Sequence, residues 1–316
     1  MISYNREARE RMVAERLREL EEARERRARE YPPLEAVLGA VGALSLPAWR
    51  PLFGPSVPGD GKASRYFGKP WMPTGAAWPV NNIGEPLAFV MQLNIGELPG
   101  PMRKRLGGSG LLSMFYDTSA DFDPHYDTTG DYETNAVFEV FDVGLEGGCR
   151  GGPLCLEEPK AITGWRAGRD HPSSEDLLEE GLLPAAIGRF MAERGFGTGS
   201  TGRKLGEQPG HGEINRLVAE AEDIWGADSC DAETAGLAVD TYCAAGDKLG
   251  GWPSWDYGRM WPEFHGKRMA HFLQIDLMDD HWKGFAFWRG DERGHVFFSE
   301  DGPKVFRLRW DRGNPR

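Results

Sequence analysis

The stretch GKPWMPTGAAWP at residues 68–79 decides the fold, because it returns without a gap as GWPSWDYGRMWP at residues 251–262. Both follow the pattern G-x-P-x-x-x-x-G-x-x-W-P. Five identical Gly, Pro and Trp residues at fixed spacing indicate that one supersecondary unit is used twice in the chain.

The similarity continues after a slip of one residue. The segment GEPLAFVMQLN at residues 84–94 parallels GKRMAHFLQID at residues 266–276. Neither unit can bury its apolar face alone, so we expect the two to pack on each other about a pseudo-twofold axis. Trp78 and Trp261 are then expected to anchor the apolar strands that follow them.

The predicted fold class is α+β: a tandem duplication of a mostly antiparallel β unit, with a helical middle segment and a charged N-terminal helix. Apolar runs between Gly and Pro turns predict strands, at Leu87–Leu93, Leu111–Tyr116, Ala136–Phe141, Met269–Ile275, Phe285–Trp288, His295–Phe298 and Lys304–Trp310. Helical spacing of apolar residues predicts the middle helices, at Ser173–Glu180, Pro184–Arg194 and Glu213–Trp225.

The predicted domain organisation is a charged helical extension at residues 1–33 followed by one duplicated domain at 34–316. Within this domain, repeat 1 covers about 64–145, a helical and loop insertion about 157–246, and repeat 2 about 247–310. Residues 34–66 are interpreted as a short apolar helix and a Pro-rich link.

Residues 5–30 alternate Arg and Glu at helical spacing, which predicts a helix with side-chain ion pairs. Its apolar stripe is narrow and includes Val13 and Leu17. Such a helix either lies solvated along the body of the protein or pairs with a partner helix.

The formal net charge of −12, from 37 Lys and Arg against 49 Asp and Glu, argues against nucleic-acid and anionic-membrane binding. The sequence shows no spanning segment or secretory signal, which predicts a cytoplasmic protein. The four cysteines match no zinc-binding spacing and are interpreted as free thiols.

Gln92 and Gln274 are amides inside apolar runs, so each is expected to be buried and hydrogen-bonded. Either each ties down a loop of its own repeat, or both line a ligand cleft between the repeats. The second interpretation predicts a ligand-binding site formed by Gln92, Gln274, Trp78, Trp261 and His271, where aromatic rings could stack on a ligand. The tryptophans can equally be core residues.

The densest acidic cluster lies between residues 117 and 131. Asp121, Asp123, His125 and Asp127 alternate along one segment, which would place them on one face of an extended chain as candidate metal ligands. The calcium-loop pattern fails, because the sixth position is not Gly and the twelfth is not Glu. A solvated loop is the alternative.

No catalytic pattern is recognised: the sequence lacks the G-x-S-x-G elbow, the phosphate-binding loop and the dinucleotide fingerprint. An enzyme would need the carboxylates of 117–131 to converge with the histidines of 265–295. The sequence therefore favours a protein that is not an enzyme, and no cofactor is predicted.

Several short motifs occur in the order found in one family: residues 64–70 (SRYFGKP), 78–79, 84–94, 97–99 and 110–112, then 247–253 (DKLGGWP) and 273–276. With these motifs the chain resembles the YwqG-like family, a bacterial domain family of unknown function, over about 60–310. The resemblance implies an α+β fold with a tandem duplication and supplies no active site. Members are similar to proteins encoded near toxin and immunity genes, which implies protein binding.

We therefore expect a cytoplasmic, non-catalytic protein-binding module, with a toxin-neutralising role as one form of it. Its partner would be a toxin or another basic protein, because an acidic surface accelerates association with a basic one. The alternative is a hydrolase or a small-ligand-binding protein that uses the cleft between the repeats.

Overall fold

A computed structural model describes residues 13–19, 22, 39–40, 42–55, 61–118, 136–152, 158–173, 176, 181–182, 244–255, 259–277, 279, 282, 293–302 and 304–311. Within these ranges the protein is mainly β. Ten strands form one antiparallel sheet, and four short strands form two small two-stranded sheets.

The fourteen strands, in chain order, are β1 Leu46–Gly54, β2 Arg65–Tyr66, β3 Trp71–Pro73, β4 Ala88–Asn94, β5 Leu111–Tyr116, β6 Ala136–Phe141, β7 Gly147–Cys149, β8 Lys160–Asp170, β9 Lys248–Gly250, β10 Glu263–Phe264, β11 Lys267–Arg268, β12 Ala270–Asp276, β13 Arg293–Phe298 and β14 Phe306–Asp311. The described helical elements include a 3-10 turn at Ile95–Glu97 and a helix at Gly100–Arg105.

The order of the large sheet is β14-β13-β12-β9-β1-β8-β2-β4-β5-β6. The order is symmetric about the β1–β8 pair, because β9, β12, β13 and β14 on one side correspond to β2, β4, β5 and β6 on the other. We call β2, β4, β5 and their loops half 1, and β9, β12, β13 and their loops half 2. The register supports the equivalence, because Arg65 pairs with Gln92 in half 1 as Lys248 pairs with Gln274 in half 2. Both β4 and β12 also contain an irregularity at the same point in their pairing with the next strand.

The two ends of the sheet approach each other, so the sheet is almost closed into a barrel. Phe138 of β6 stacks on Phe306 of β14 with ring centroids 5.6 Å apart, and Tyr116 of β5 meets Trp310 of β14 edge-on at 6.0 Å. The main core, which fills this curved sheet, contains side chains of both halves. Burial of apolar surface from both halves in one core supplies the main stabilisation of the fold.

Each half contributes to this shared core a side chain from the segment that follows its central strand, which is β4 in half 1 and β12 in half 2. In half 1 the segment carries Met102, and a Cβ on Gly250 of half 2 would lie 3.7 Å from the Met102 sulfur. In half 2 it carries Trp282, whose ring lies 4.8 Å from Tyr66 and 5.1 Å from Phe67 of half 1. Side chains of each half therefore pack against the other half inside the barrel.

The predicted α+β class is wrong. The described residues are mainly β and form one nearly closed antiparallel sheet, instead of an α+β fold with a helical middle segment. Residues 160–170, placed within the predicted helical and loop insertion, form the long strand β8. The predicted helices at 184–194 and 213–225 lie outside the described residues.

The assignment of residues 46–54 to a Pro-rich link is also wrong, because they form β1 at the centre of the sheet. Proline cannot donate a hydrogen bond and is usually excluded from central strands. Here the Pro47 carbonyl accepts a bond from Gly251 N, so this side of the strand faces β9. Pro51 faces the same side of β1, but β9 pairs only with Ala48 and Trp49. The lack of an N–H on Pro51 therefore costs no hydrogen bond between β1 and β9.

The charged N-terminal helix is described in part. Residues 13–19 and residue 22 are helical, and Arg16 bonds to Glu19 at 3.3 Å. Val13 and Leu17 are 53% and 57% exposed. This part of the narrow apolar stripe therefore faces solvent.

Candidate functional site

The buried amide of Gln92 holds the loop that precedes β2. Its Oε1 accepts a hydrogen bond from Trp71 N at 2.8 Å, and its Nε2 donates to Gly61 O at 3.1 Å and Ala63 O at 2.9 Å. These bonds satisfy the amide inside an apolar strand. All of these partners belong to the first half of the sheet.

Gln274 makes the equivalent bonds in half 2. Its Oε1 accepts from Ser254 N at 2.9 Å, and its Nε2 donates to Gly246 O at 2.9 Å and Ala244 O at 3.3 Å. The two glutamines therefore each fasten a loop of their own half, and four strands separate β4 from β12 in the sheet order. The ligand-binding role of the pair stays a prediction.

Trp78 and Trp261 lie in two separate clusters outside the main core. Trp78 donates to Leu87 O at 2.9 Å and meets Phe115 edge-on at 5.4 Å. Trp261 donates to the Asp176 carboxylate at 2.8 Å. The two clusters share no residue, so the structure does not bring the two tryptophans into one apolar cluster, and their role in ligand binding stays a prediction.

A buried ion pair lies beside Gln274. Lys248 Nζ and Asp170 Oδ2 are 2.7 Å apart, and neither side chain is exposed. Lys248 also donates to the Ala244 carbonyl, while Asp170 accepts from Ala244 N at 2.8 Å and Trp252 N at 2.9 Å. Charged groups tolerate burial when paired and hydrogen-bonded in this way, and the pair joins β8 to the loops on both sides of β9.

Half 1 has an arginine at the matching place. Arg65 is buried and donates to backbone carbonyls, including Gly61 O at 3.0 Å and Ala63 O at 3.2 Å. Its Nη2 also lies 3.6 Å from the sulfur of Cys149, which is an exposed free thiol. In half 1, backbone carbonyl oxygens thus accept hydrogen bonds from the buried cation Arg65, as the Asp170 carboxylate does from Lys248 in half 2.

Two histidines lie on the outer face of half 2, behind the loop that carries Trp255. His271 is 4% exposed, His295 is fully buried, and their ring centroids are 5.8 Å apart. His271 Nδ1 lies 3.2 Å from Gly250 O and 3.3 Å from Gly251 O. Among the residues that the structure describes, His271 Nε2 and both ring nitrogens of His295 have no hydrogen-bond partner.

Both imidazoles are held neutral. Burial, with the Lys248 charge as the next cause, lowers the pKa of His271 to about 3. Burial also lowers the pKa of His295 well below its usual value, and the nearby His271, Lys248 and Arg293 act in the same direction. At neutral pH each ring therefore offers one nitrogen lone pair.

Asp176 ties the chain that follows β8 to the loop of half 2. Its carboxylate accepts from Trp255 Nε1 at 3.1 Å, Trp261 Nε1 at 2.8 Å and Arg259 Nε at 2.8 Å. Burial raises the pKa of Asp176, although the hydrogen bonds from Trp261 and Arg259 act in the opposite direction. The arrangement fixes the Trp255 ring, which lies 4.6 Å from the ring of His295.

A second charged network lies at the other end of β12. Asp276 Oδ2 accepts from Arg293 Nε at 2.8 Å, and Asp247 Oδ1 accepts from Asp276 N at 2.7 Å and Trp282 Nε1 at 3.1 Å. Burial and then the Asp247 charge raise the pKa of Tyr66 well above its usual value. This network fastens the segment of half 2 that enters the shared core.

The predicted metal ligands Asp121, Asp123, His125 and Asp127 lie outside the described residues, and that site stays a prediction. Within the described ranges, no group of three or more His, Cys, Asp or Glu residues could hold a metal ion. His265 is described and exposed on the turn between β10 and β11.

His271 was singled out from the sequence, and His295 was grouped with the histidines of residues 265–295, but Lys248 was missed. Lys248 was an available signal, because this lysine lies at the strand position that Arg65 occupies in the first repeat. Asp170 and Asp176 gave no signal, since they lie outside both repeats and meet half 2 only through the tertiary fold.

The described residues include no helix long and apolar enough to span a bilayer. A search of curated proteins gives no match. A family model, described as a domain of unknown function (DUF1963), matches residues 64–143, which span half 1 from the start of the first repeat through β6. In this region the chain is similar to a domain family without an assigned function.

Proposed function

We propose that this chain is a non-catalytic protein-binding module that contacts its partner with the turn at residues 80–86. The observation that carries the proposal is an apolar turn tip presented to solvent: Ile83 is 73% exposed and Val80 is 50% exposed. Exposed apolar patches mark interaction sites, and Val80 and Ile83 place two large apolar side chains on this one turn.

The turn is held by its own hydrogen bonds. Asn81 Oδ1 accepts from Ile83 N at 3.1 Å and from Glu85 N at 2.8 Å, and Asn81 N donates to Glu85 O at 2.8 Å. Asn81 Nδ2 also donates to Asp117 Oδ2 at 3.1 Å, which ties the turn to the end of β5. A partner would therefore meet a pre-organised Ile83, and ordering the loop would cost little on binding.

The charge around the turn suits a basic partner. Glu85 and Asp117 flank Asn81, and the whole chain has a net charge of −12. An acidic rim around an apolar anchor increases the association rate with a basic surface that offers an apolar pocket. A toxin neutralised by this chain is one partner of that kind, which agrees with membership in the YwqG-like family, itself part of this proposal.

The proposal is tested with Ile83→Ser and a matched control, Leu52→Ser, in which the side chain is 37% exposed on β1. Tagged proteins are used to capture partners from the native host, and the captured proteins are quantified by mass spectrometry and then measured as purified pairs. We expect a basic protein whose affinity falls about 30-fold with Ile83→Ser, the loss of ~2 kcal/mol typical of an anchor residue.

The control should keep the affinity of the wild type. Recovery of background proteins alone, or equal losses with the two variants, would contradict the proposal.

A further inference from the structure

We propose that His271 and His295 form a buried two-histidine site for a monovalent copper ion, Cu(I). This site lies in half 2, on different strands from the turn at residues 80–86, and it stands independently of the proposed protein-binding function.

The tautomer of His271 follows from its contacts. Nδ1 faces the carbonyl oxygens of Gly250 and Gly251 at 3.2 and 3.3 Å, and a carbonyl can only accept, so Nδ1 carries the proton. Nε2 therefore presents a lone pair, and no described residue donates to it. Buried polar atoms normally have a partner, so an orphaned lone pair calls for one.

His295, on the adjacent strand β13, also has ring nitrogens that no described residue satisfies. It is fully buried, and neither Nδ1 nor Nε2 has a hydrogen-bond partner within the described part of the chain. Its ring and that of His271 have centroids 5.8 Å apart. A ring centre lies about 1 Å from its nitrogens and a metal–nitrogen bond is about 2 Å long, so two imidazoles on one ion have centroids about 5–6 Å apart.

The surroundings favour a monovalent ion with few ligands. The Trp255 ring lies 4.6 Å from that of His295, and Phe297 lies 5.5 Å from His271, so the pair sits among aromatic rings. A divalent ion would bring a larger charge into this buried place with only two neutral ligands, which is costly. Cu(I) binds imidazole and is stable with two ligands, and an aromatic face supplies further attraction for a cation.

The nearby positive groups are already compensated. Lys248 is paired with Asp170 at 2.7 Å, and Arg293 is paired with Asp276 at 2.8 Å. Their charge is therefore opposed locally, and they do not by themselves prevent a single positive charge from binding between the two rings.

Half 1 supplies substitutions that the fold already accommodates. The pairing register places Phe89 at the position of His271 and Ser113 at that of His295. His271→Phe and His295→Ser therefore copy into half 2 the side chains that half 1 carries at the same positions. His265→Gln, at an exposed histidine outside the pair, is the matched control.

The experiment measures Cu(I) binding by the whole chain under anaerobic, reducing conditions, in competition with the chromophoric chelator bicinchoninate. Thiols, including the exposed Cys149, are first blocked with N-ethylmaleimide. We expect the wild type and His265→Gln to bind one Cu(I) per chain more than either His271→Phe or His295→Ser. Circular dichroism shows whether each variant is folded.

X-ray absorption on the wild type tests the ligands without any substitution, and it should show Cu(I) bound by two imidazole nitrogens. The proposal is overturned if the wild type takes up no Cu(I), if folded variants bind as much as the wild type, or if the absorption spectrum shows no imidazole ligation. Binding of Zn(II) by the same two histidines in preference to Cu(I) would overturn the assignment to a monovalent ion.

Discussion

Half 1 and half 2 share a backbone plan and differ in the charges that they bury. In both, a glutamine on β4 or β12 bonds to two carbonyls before the neighbouring strand, β2 or β9, and to one N–H after it. Half 1 sets Phe89 and Ser113 beside this arrangement, whereas half 2 sets His271 and His295.

The difference shows which features belong to the fold and which were added to it. Features present twice, such as the glutamine bonds and the strand irregularity, are requirements of the backbone. The Lys248–Asp170 pair and the histidine pair occur in half 2 alone among the described residues, so the backbone plan does not need them. The buried ionisable groups of half 2 are therefore candidates for a functional site, and the residues at the same positions in half 1 show which side chains the backbone accepts without them.

The largest expected effect tests the two buried cations. Lys248→Met leaves the Asp170 carboxylate buried without its counter-ion, and we expect the free energy of unfolding to fall by about 4 kcal/mol. Arg65→Met in half 1 removes the hydrogen bonds that the guanidinium donates to Gly61 O and Ala63 O, so a loss of about 2 kcal/mol is expected. Urea unfolding of both variants measures the difference; equal losses would contradict the distinction drawn between the halves.

A second test asks whether the two glutamines are equivalent. Gln92→Leu leaves Trp71 N without its acceptor, whereas Gly61 O and Ala63 O keep their bonds from Arg65. Gln274→Leu leaves Ser254 N and Gly246 O without these bonds, whereas Ala244 O keeps its bond from Lys248. Each substitution should therefore lower the free energy of unfolding by about 2 kcal/mol. The same urea titration measures both. A loss in one half only would show that the shared hydrogen-bond pattern does not carry equal weight.

A third test uses pH, because only half 2 has titrating groups at these positions. The folded protein holds the pKa of His271 at about 3, against 6.5 for the ordinary group. Above pH 6.5 His271 is neutral in both the folded and the unfolded chain, so its protonation does not change the free energy of unfolding. As pH falls below 6.5, the unfolded chain binds the proton first, so stability is lost progressively down to pH about 3.

The loss from His271 should be about 2 kcal/mol between pH 6.5 and pH 5. His295, whose pKa is lowered by burial, acts in the same direction. His271→Phe should therefore flatten the dependence of the unfolding free energy on pH over this window, as measured by urea titration at several pH values. An unchanged slope would show that His271 is not held neutral in the fold.

The smallest expected effect concerns the turns before β4 and β12. Gly84 has φ +87° and Gly266 has φ +71°, and a Cβ at either position would meet nothing within 4 Å. Alanine at either position adds backbone strain without a clash, so each substitution should cost about 1 kcal/mol. Thermal unfolding compares the two variants, and a cost in one turn only would break the equivalence of the halves.

The sequence predicted the repeated strands well because their signals are local. Leu111–Tyr116 and Ala136–Phe141 are observed as predicted, and the strands around Gln92 and Gln274 are shifted by one residue at each end. Apolar runs bounded by Gly and Pro carry enough information for such strands.

Strands β1 and β8 were missed because their signals are weak. Two prolines in β1 indicate a link, and β8 has two glycines and three charged residues beyond Lys160. They become strands because each supplies the other with a pairing partner along its whole length, at the axis that joins the halves. Pairing of distant segments is a tertiary effect that local pattern does not record.

The sequence by itself determined that a Gly-Pro-Trp unit occurs twice and that each copy buries a glutamine in an apolar strand, because the repeated spacing and the amide inside an apolar run are both visible along the chain. The tertiary structure alone decided that the copies join into one nearly closed sheet, and that Asp170 and Asp176 reach half 2 from outside the repeats. Register, curvature and ion pairing depend on which distant segments meet. That choice is made by burial in the shared core, which has no fixed spacing along the chain.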